Sequence, residues 1–136
     1  MKCALVVAAV CVALFADAAA SVWDGVYAPA QADRGKSLYA AQCASCHGAA
    51  LDGSGQAPPL TGADFKSNWN GQSADDLFET IQATMPADHP GNLPRPQTAD
   101  ILAFLLASNG FPPGANALPS DAAALAKIRF EAAKPK

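Results

Sequence analysis

The stretch Cys43-Ala44-Ser45-Cys46-His47 constrains this chain more than any other five residues in it. Two thiols three positions apart, with an imidazole directly after the second, form C-x-x-C-H. This is the arrangement that attaches a c-type haem through two thioether bonds and offers the histidine as proximal iron ligand. The spacing has a geometric reason: one helical turn presents both sulfurs to the two vinyl-derived carbons on one edge of a porphyrin, and His47, next in line, turns its ring toward the metal. Two other uses of such residues weigh less. A redox disulfide of the thioredoxin kind expects a strand ahead of it in a βαβ setting, whereas helical periodicity precedes Cys43. A structural zinc site needs a second pair of ligands, and beyond this motif the chain after residue 20 offers His89 as its one further imidazole and no further cysteine.

Composition bounds the rest. The 136 residues suffice for one domain. Hydrophobic residues reach 51%, yet alanine supplies 32 of the 136 residues, so bulky core-forming side chains are scarcer than that fraction suggests. A prosthetic group would help fill such a core. The 10 Gly and 11 Pro, about 15% of the chain, show no fixed period, which excludes disordered, collagenous and solenoid classes. A net charge of -3 with 15% charged residues gives no basic field to neutralise phosphates, so no nucleic-acid partner is expected.

The first twenty residues read as an export signal. Lys2 supplies a positive start, the apolar run from Cys3 to Ala16 is too short for a comfortable membrane span, and Ala18 and Ala20 fit an A-x-A site cleaved before Ser21. The competing reading is a retained anchor. A lipoprotein signal at Cys11 is disfavoured by Val10 ahead of it. Cleavage near Ala20 would remove Met1, Cys3 and Cys11 and leave a periplasmic chain without a membrane span, holding two Cys, two His and a single Met.

Helices are legible beyond the motif. Ser73-Ala74-Asp75-Asp76 is a capping-box variant, followed by the apolar Leu77, Phe78 and Ile81 and stopped by Thr84-Met85-Pro86. A later helix is predicted from Thr98 as N-cap, Asp100 in the first turn, a stripe through Ile101, Phe104 and Leu105, and Gly110 as the C′ stop ahead of Pro112 and Pro113. A short one is predicted after Leu118-Pro119, with Ser120 as N-cap and Leu125, Ile128 and Phe130 as apolar positions.

From about Ala32 to Gly110 the chain resembles a class I, monohaem cytochrome c. The likeness rests on the haem motif, on Asp33-Arg34-Gly35-Lys36-Ser37-Leu38-Tyr39 ahead of it, and on Ala99-Asp100-Ile101-Leu102-Ala103-Phe104-Leu105 near the end. It implies an all-α fold of three to five helices around one haem c, covalently bound through Cys43 and Cys46. Gly35 and Tyr39, four apart on one helix face, would take the places where the family admits its terminal helix closely and packs an aromatic across the crossing. The organisation expected is a signal over 1–20, an N-terminal extension over 21–31, the cytochrome domain over 32–110 and a C-terminal extension over 111–136.

A c-type iron usually takes Met sulfur or His nitrogen as its second axial ligand, and after residue 20 the candidates are Met85 and His89. Thr84-Met85-Pro86 resembles the family's distal loop, which makes Met85 the expected ligand opposite His47 and leaves His89 as a solvent-facing loop residue. Pro58-Pro59-Leu60 resembles the family's Pro-x-Leu stretch. The resemblance implies that the Pro58 carbonyl accepts the other ring N–H of His47 and that Leu60 packs on the haem. Trp69 carries an indole N–H that wants a partner when buried; a haem propionate and plain core packing stay open. Gly48 to Gln56 reads as a flexible polar loop, not a phosphate cradle.

With His47 and Met85 closing the iron, the resemblance implies a one-electron carrier cycling between Fe(II) and Fe(III), not an enzyme. Its partners would be a dehydrogenase donor and an oxidase or cytochrome acceptor, docked transiently by a monomer through an interface under about 1,200 Å². The Trp23-Asp24-Gly25-Val26-Tyr27 opening and the Ala126-Lys127-Ile128-Arg129-Phe130 ending are similar to small cytochromes c associated with quinoprotein (PQQ) dehydrogenases. Both flanks are too apolar to hang in water, so they either pack on the haem domain or form the dehydrogenase contact. Lys127, Arg129, Lys134 and Lys136 make the tail basic, while Asp64, Asp75, Asp76, Glu79 and Asp88 make the middle acidic. The alternatives kept are a haem-bearing subunit of a larger dehydrogenase or oxidase complex, and a gas-binding haem sensor with a labile distal ligand.

Overall fold

The computed structural model describes residues 19–55 and 57–136. Most of the expected export signal, residues 1–18, therefore lies outside the described residues. In chain order the elements are β1 (Ala20–Ser21), α1 (Pro29–Gln42), α2 (Ala44–His47), α3 (Gly62–Trp69), α4 (Ala74–Thr84), α5 (Arg95–Ser108), α6 (Ala122–Leu125) and β2 (Ile128–Arg129). The all-α expectation holds. The six helices among the described residues exceed the three to five expected because α2 and α6 are single turns of four residues.

Helix α1 opens on Pro29, at a first-turn position where a missing N–H costs nothing, and crosses α5 in the most extensive helix–helix contact among the described residues. The crossing is close at Gly35, where a Cβ would lie 1.8 Å from the Asp100 carbonyl oxygen. Tyr39, one turn on, stacks tilted against Phe104 with centroids 5.3 Å apart. Beside them Arg34 grips the Asp100 carboxylate in a two-pronged pair, Nε and Nη2 each 3.0 Å from an oxygen. Helix α4 starts as expected: Ser73 Oγ accepts the Asp76 N–H at 3.2 Å and Asp76 Oδ2 accepts the Ser73 N–H at 2.8 Å.

Two caps differ from expectation. Helix α5 begins at Arg95 with Pro94 as N-cap, not at Thr98. Pro96 fits the first turn because the N–H groups there have no intrahelical partner. Thr98 sits inside the helix, fully buried, and spends its hydroxyl on Gln82 Oε1 at 2.7 Å. The end of α5 is as expected: Gly110 at φ +81 follows the C-cap Asn109. The Gly110 and Phe111 N–H groups return to the Ala107 and Leu106 carbonyls at 3.0 and 3.1 Å. Helix α6 is capped by Asp121, whose Oδ1 accepts the Ala124 N–H at 2.9 Å, and not by Ser120, whose carbonyl is taken by Arg95 Nε at 2.9 Å. It stops at Leu125, so Ile128 lies on a strand, not on a helix.

The flanks close on each other and on the helices. Strands β1 and β2 pair in parallel, Ala20 opposite Ile128 and Ser21 opposite Arg129. Val22, Leu125 and Phe130 are completely buried. An aromatic chain runs from Trp23 through Phe111 and Phe130 to Phe65, with centroid separations of 4.8, 5.2 and 6.1 Å in edge-on contacts. Gln31 on α1 clamps Leu118 from both sides, Nε2 to its carbonyl at 3.0 Å and Oε1 from its N–H at 2.7 Å. These segments thus pack on the helical domain. Among the described residues no helix is long and apolar enough to cross a membrane.

Candidate functional site

Helix α1 ends at Cys43, whose backbone (φ -126, ψ -35) breaks the run so that α2 starts afresh as a separate turn. That turn places Cys43, Cys46 and His47 on the wall of one cavity of about 1540 Å³, larger than the roughly 300–1,000 Å³ of ordinary small-molecule pockets. Met85, Leu60 and Trp69 line the same cavity, as do Phe65, Leu77 and Ile81. Apolar side chains make up the larger part of the wall, and polar ones such as Gln42, Asn68, Gln72 and Thr80 line the remainder.

His47 is buried, and its Nδ1 stands 2.9 Å from the Pro58 carbonyl oxygen. A carbonyl can only accept, so Nδ1 carries the proton and Nε2 is left with its lone pair. The turn itself is held by Tyr39, whose hydroxyl donates to the Gly48 carbonyl at 2.7 Å. Burial, with Cys43 and Asp52 nearby, pushes that phenol up to about 12. Cys43 is half-buried and Cys46 exposed, and the two form no disulfide with each other. Burial, and then Cys46, pushes the Cys43 thiol up to about 11. Among the described residues no group of three or more His, Cys, Asp or Glu gathers, as a structural zinc site would need.

Met85 is the C-cap of α4, half-buried, its N–H returned to the Ile81 carbonyl at 2.9 Å. The loop it opens is braced from behind: Gln82 Nε2 donates to the Leu93 carbonyl at 2.7 Å while its Oε1 receives Thr98. His89 borders the cavity too, but it is exposed, with Nδ1 3.3 Å from Asp88 Oδ2. Leu60 is half-buried and Pro58 exposed. Trp69 is half-buried against Phe65, and its indole N–H has no partner among the described residues. Trp23, by contrast, donates to the Glu131 carbonyl at 2.9 Å. Every residue singled out for the site in the sequence therefore lies on one cavity. One polar residue behind it was not anticipated: Asn109, buried, with its side chain bonded to Leu60 and Gly62.

Residues 30–105 match the family model described as "Cytochrome C oxidase, cbb3-type, subunit III". The chain belongs to this cytochrome c family. It is accordingly an electron-transfer haem protein with a covalently bound haem c. The cavity fits such a group in size, in its apolar wall, in its paired thiols and in the free Nε2 of His47. Among solved structures this cytochrome is similar to the sulfane dehydrogenase SoxCD from Paracoccus pantotrophus, at 26% identity and a TM-score of 0.47. The likeness covers 65% of this chain and 53% of that one, so the cytochrome spans about half the length of the SoxCD chain it matches. A search of curated proteins finds no match.

Proposed function

We propose that this cytochrome is an exported one-electron carrier in which His47 and Met85 are the axial ligands of a haem c joined to Cys43 and Cys46. A single observation carries this reading: these four side chains line one cavity, with His47 Nδ1 already committed to the Pro58 carbonyl. The bound haem would supply a reversible Fe(II)/Fe(III) couple. The chain's own residues do the rest. Pro58 fixes the tautomer and ring plane of His47 and makes the imidazole a stronger donor. The Met85 thioether, as ligand, would favour the ferrous state and give a higher potential than a second imidazole would. Leu60, Phe65, Leu77 and Ile81 would keep water from the haem, Trp69 would offer its indole N–H to a propionate, and the exposed side at Cys46 would be where an electron enters or leaves.

The donor we infer is a periplasmic dehydrogenase of quinoprotein type and the acceptor a respiratory oxidase, met transiently by a monomer after signal cleavage near Ala20. The flanking Trp23–Tyr27 and Ala126–Phe130 segments support the donor class by their likeness to cytochromes of that setting. The decisive measurement is the absorption spectrum of the oxidised protein. A weak band at the red edge, which only a thioether on the oxidised iron gives, lost in Met85→Ala with the pigment still attached, is the expected result; a wild-type spectrum that is low-spin but lacks this band, and turns high-spin in His89→Ala, would reassign the ligand. A second reading, a haem-bearing subunit of a larger complex, is favoured by the family description, which names an oxidase subunit. Gel filtration of a native extract separates the two, since a free carrier elutes at the size of the chain alone.

A further inference from the structure

The loop that brings Pro58 to His47 is held by a side chain that does not line the cavity. Asn109, the C-cap of α5, is 6% exposed. Its Nδ2 donates to the Leu60 carbonyl at 3.0 Å and the Leu105 carbonyl at 2.9 Å, and its Oδ1 accepts the Gly62 N–H at 3.2 Å. Leu60 is tied from the other side as well, its N–H donating to the Leu51 carbonyl at 2.9 Å. Between Leu60 and the Pro58 carbonyl stands one residue, Pro59, whose ring fixes φ and removes a degree of freedom. The orientation imposed at Leu60 is therefore transmitted to the Pro58 oxygen with little slack.

We propose that Asn109 is a positioning residue for the axial imidazole: by anchoring Leu60 and Gly62 to the end of α5, it holds the Pro58 carbonyl in line with His47 Nδ1 and so sets the redox potential. The inference rests on the cofactor reading above. A carbonyl bonded to Nδ1–H raises the basicity of the opposite nitrogen and favours the more oxidised metal. Slackening that bond raises the midpoint potential.

The molecule supplies its own control. Gln31 is a second buried amide, 3% exposed, with two bonds to the Leu118 backbone and none to the loop. In full-length, haem-loaded protein, Asn109→Ala and Gln31→Ala are both expected to melt earlier. Only Asn109→Ala is expected to raise the midpoint potential, shifting the oxidation equilibrium about three- to tenfold, where tenfold is 59 mV for one electron. It is also expected to speed exchange of the His47 Nδ1 proton seen by NMR. Asn109→Ser, which keeps a shorter donor, is expected between wild type and Asn109→Ala and carries the test if Asn109→Ala does not fold. Loaded variants with wild-type potential and exchange, or an equal shift in Gln31→Ala, would overturn the inference alone. Wild-type protein carrying no covalent pigment would overturn the cofactor reading and this inference together.

Discussion

Gly35 lies beneath the backbone of Asp100 so closely that a Cβ on it would stand 1.8 Å from the Asp100 oxygen and 2.9 Å from Phe104 Cβ. Two effects of Gly35→Ala oppose each other. An alanine gains about 1 kcal/mol over glycine inside a helix, while overpacking costs about 3 kcal/mol or more when no rotamer can relieve it. The contact is with backbone, so the second effect wins. Gly35→Ala should lower the unfolding free energy by about 2 kcal/mol net, read by urea titration. An unchanged or raised midpoint would mean that the helices separate freely here and that the crossing does not fix the α1 end carrying Cys43.

The capping box of α4 makes a pH-dependent prediction. The Ser73 N–H, and then its hydroxyl, hold the Asp76 carboxyl below the usual carboxylate range. A carboxyl lowered in the folded state contributes its stability fully above the ordinary value of about 3.9 and loses it as pH falls through the lower native value. Ser73→Ala should cost about 1 kcal/mol at neutral pH. The gap to wild type should narrow in acid, below the ordinary carboxylate value. A gap that stays constant down to strong acid would assign the cost to the hydroxyl alone.

Its neighbour Asp75 behaves in the opposite sense. Burial, then Glu79 and Asp76, raise its carboxyl, and its Oδ1 is buried with no hydrogen-bond partner. For a carboxyl raised in the folded state, the folded protein binds more protons than the unfolded one between the two values, so stability falls as pH rises through that window. Asp75→Asn should therefore melt higher than wild type at pH 7 and lose the advantage in acid. A lower melting temperature at pH 7 would show that the charge is used by Arg95, which lies close enough to oppose the shift.

What was readable in the sequence was local. Cys43, Cys46 and His47 announce themselves because one turn must present both sulfurs and the ring. Ser73 with Asp76, and Gly110 at the end of α5, announce themselves because their partners lie within four residues. Of the misplaced caps, Thr98 spends its hydroxyl on Gln82 in another helix, whereas at α6 the neighbouring Asp121 takes the Ala124 N–H in place of Ser120. Asn109 meets Leu60 and Gly62 across 49 and 47 positions, for which no spacing rule exists. Strands of two residues joining position 20 to position 128 leave no periodicity to read.

The C-terminal flank offers the last test, because core packing and partner contact predict different losses. Phe130 is completely buried between Phe65 and Phe111. Its backbone is bonded on both sides to the connection between α3 and α4, N–H to the Gln72 carbonyl and carbonyl from the Gly71 N–H, both at 2.8 Å. That connection follows Trp69 directly, and Gln72 itself lines the cavity. Removing a phenyl ring from such a site costs about 3–5 kcal/mol, a large share of the roughly 5–15 kcal/mol that holds a domain together. Phe130→Ala should melt far below wild type, and removal of residues 119–136 lower still, whereas Lys134→Glu and Lys136→Glu, on the exposed tail, should melt as wild type does. Electron uptake from a quinoprotein dehydrogenase separates the remaining possibility. If Phe130→Ala melts normally and uptake alone collapses, the flank is a docking element and its burial against Phe65 gives way when the partner arrives.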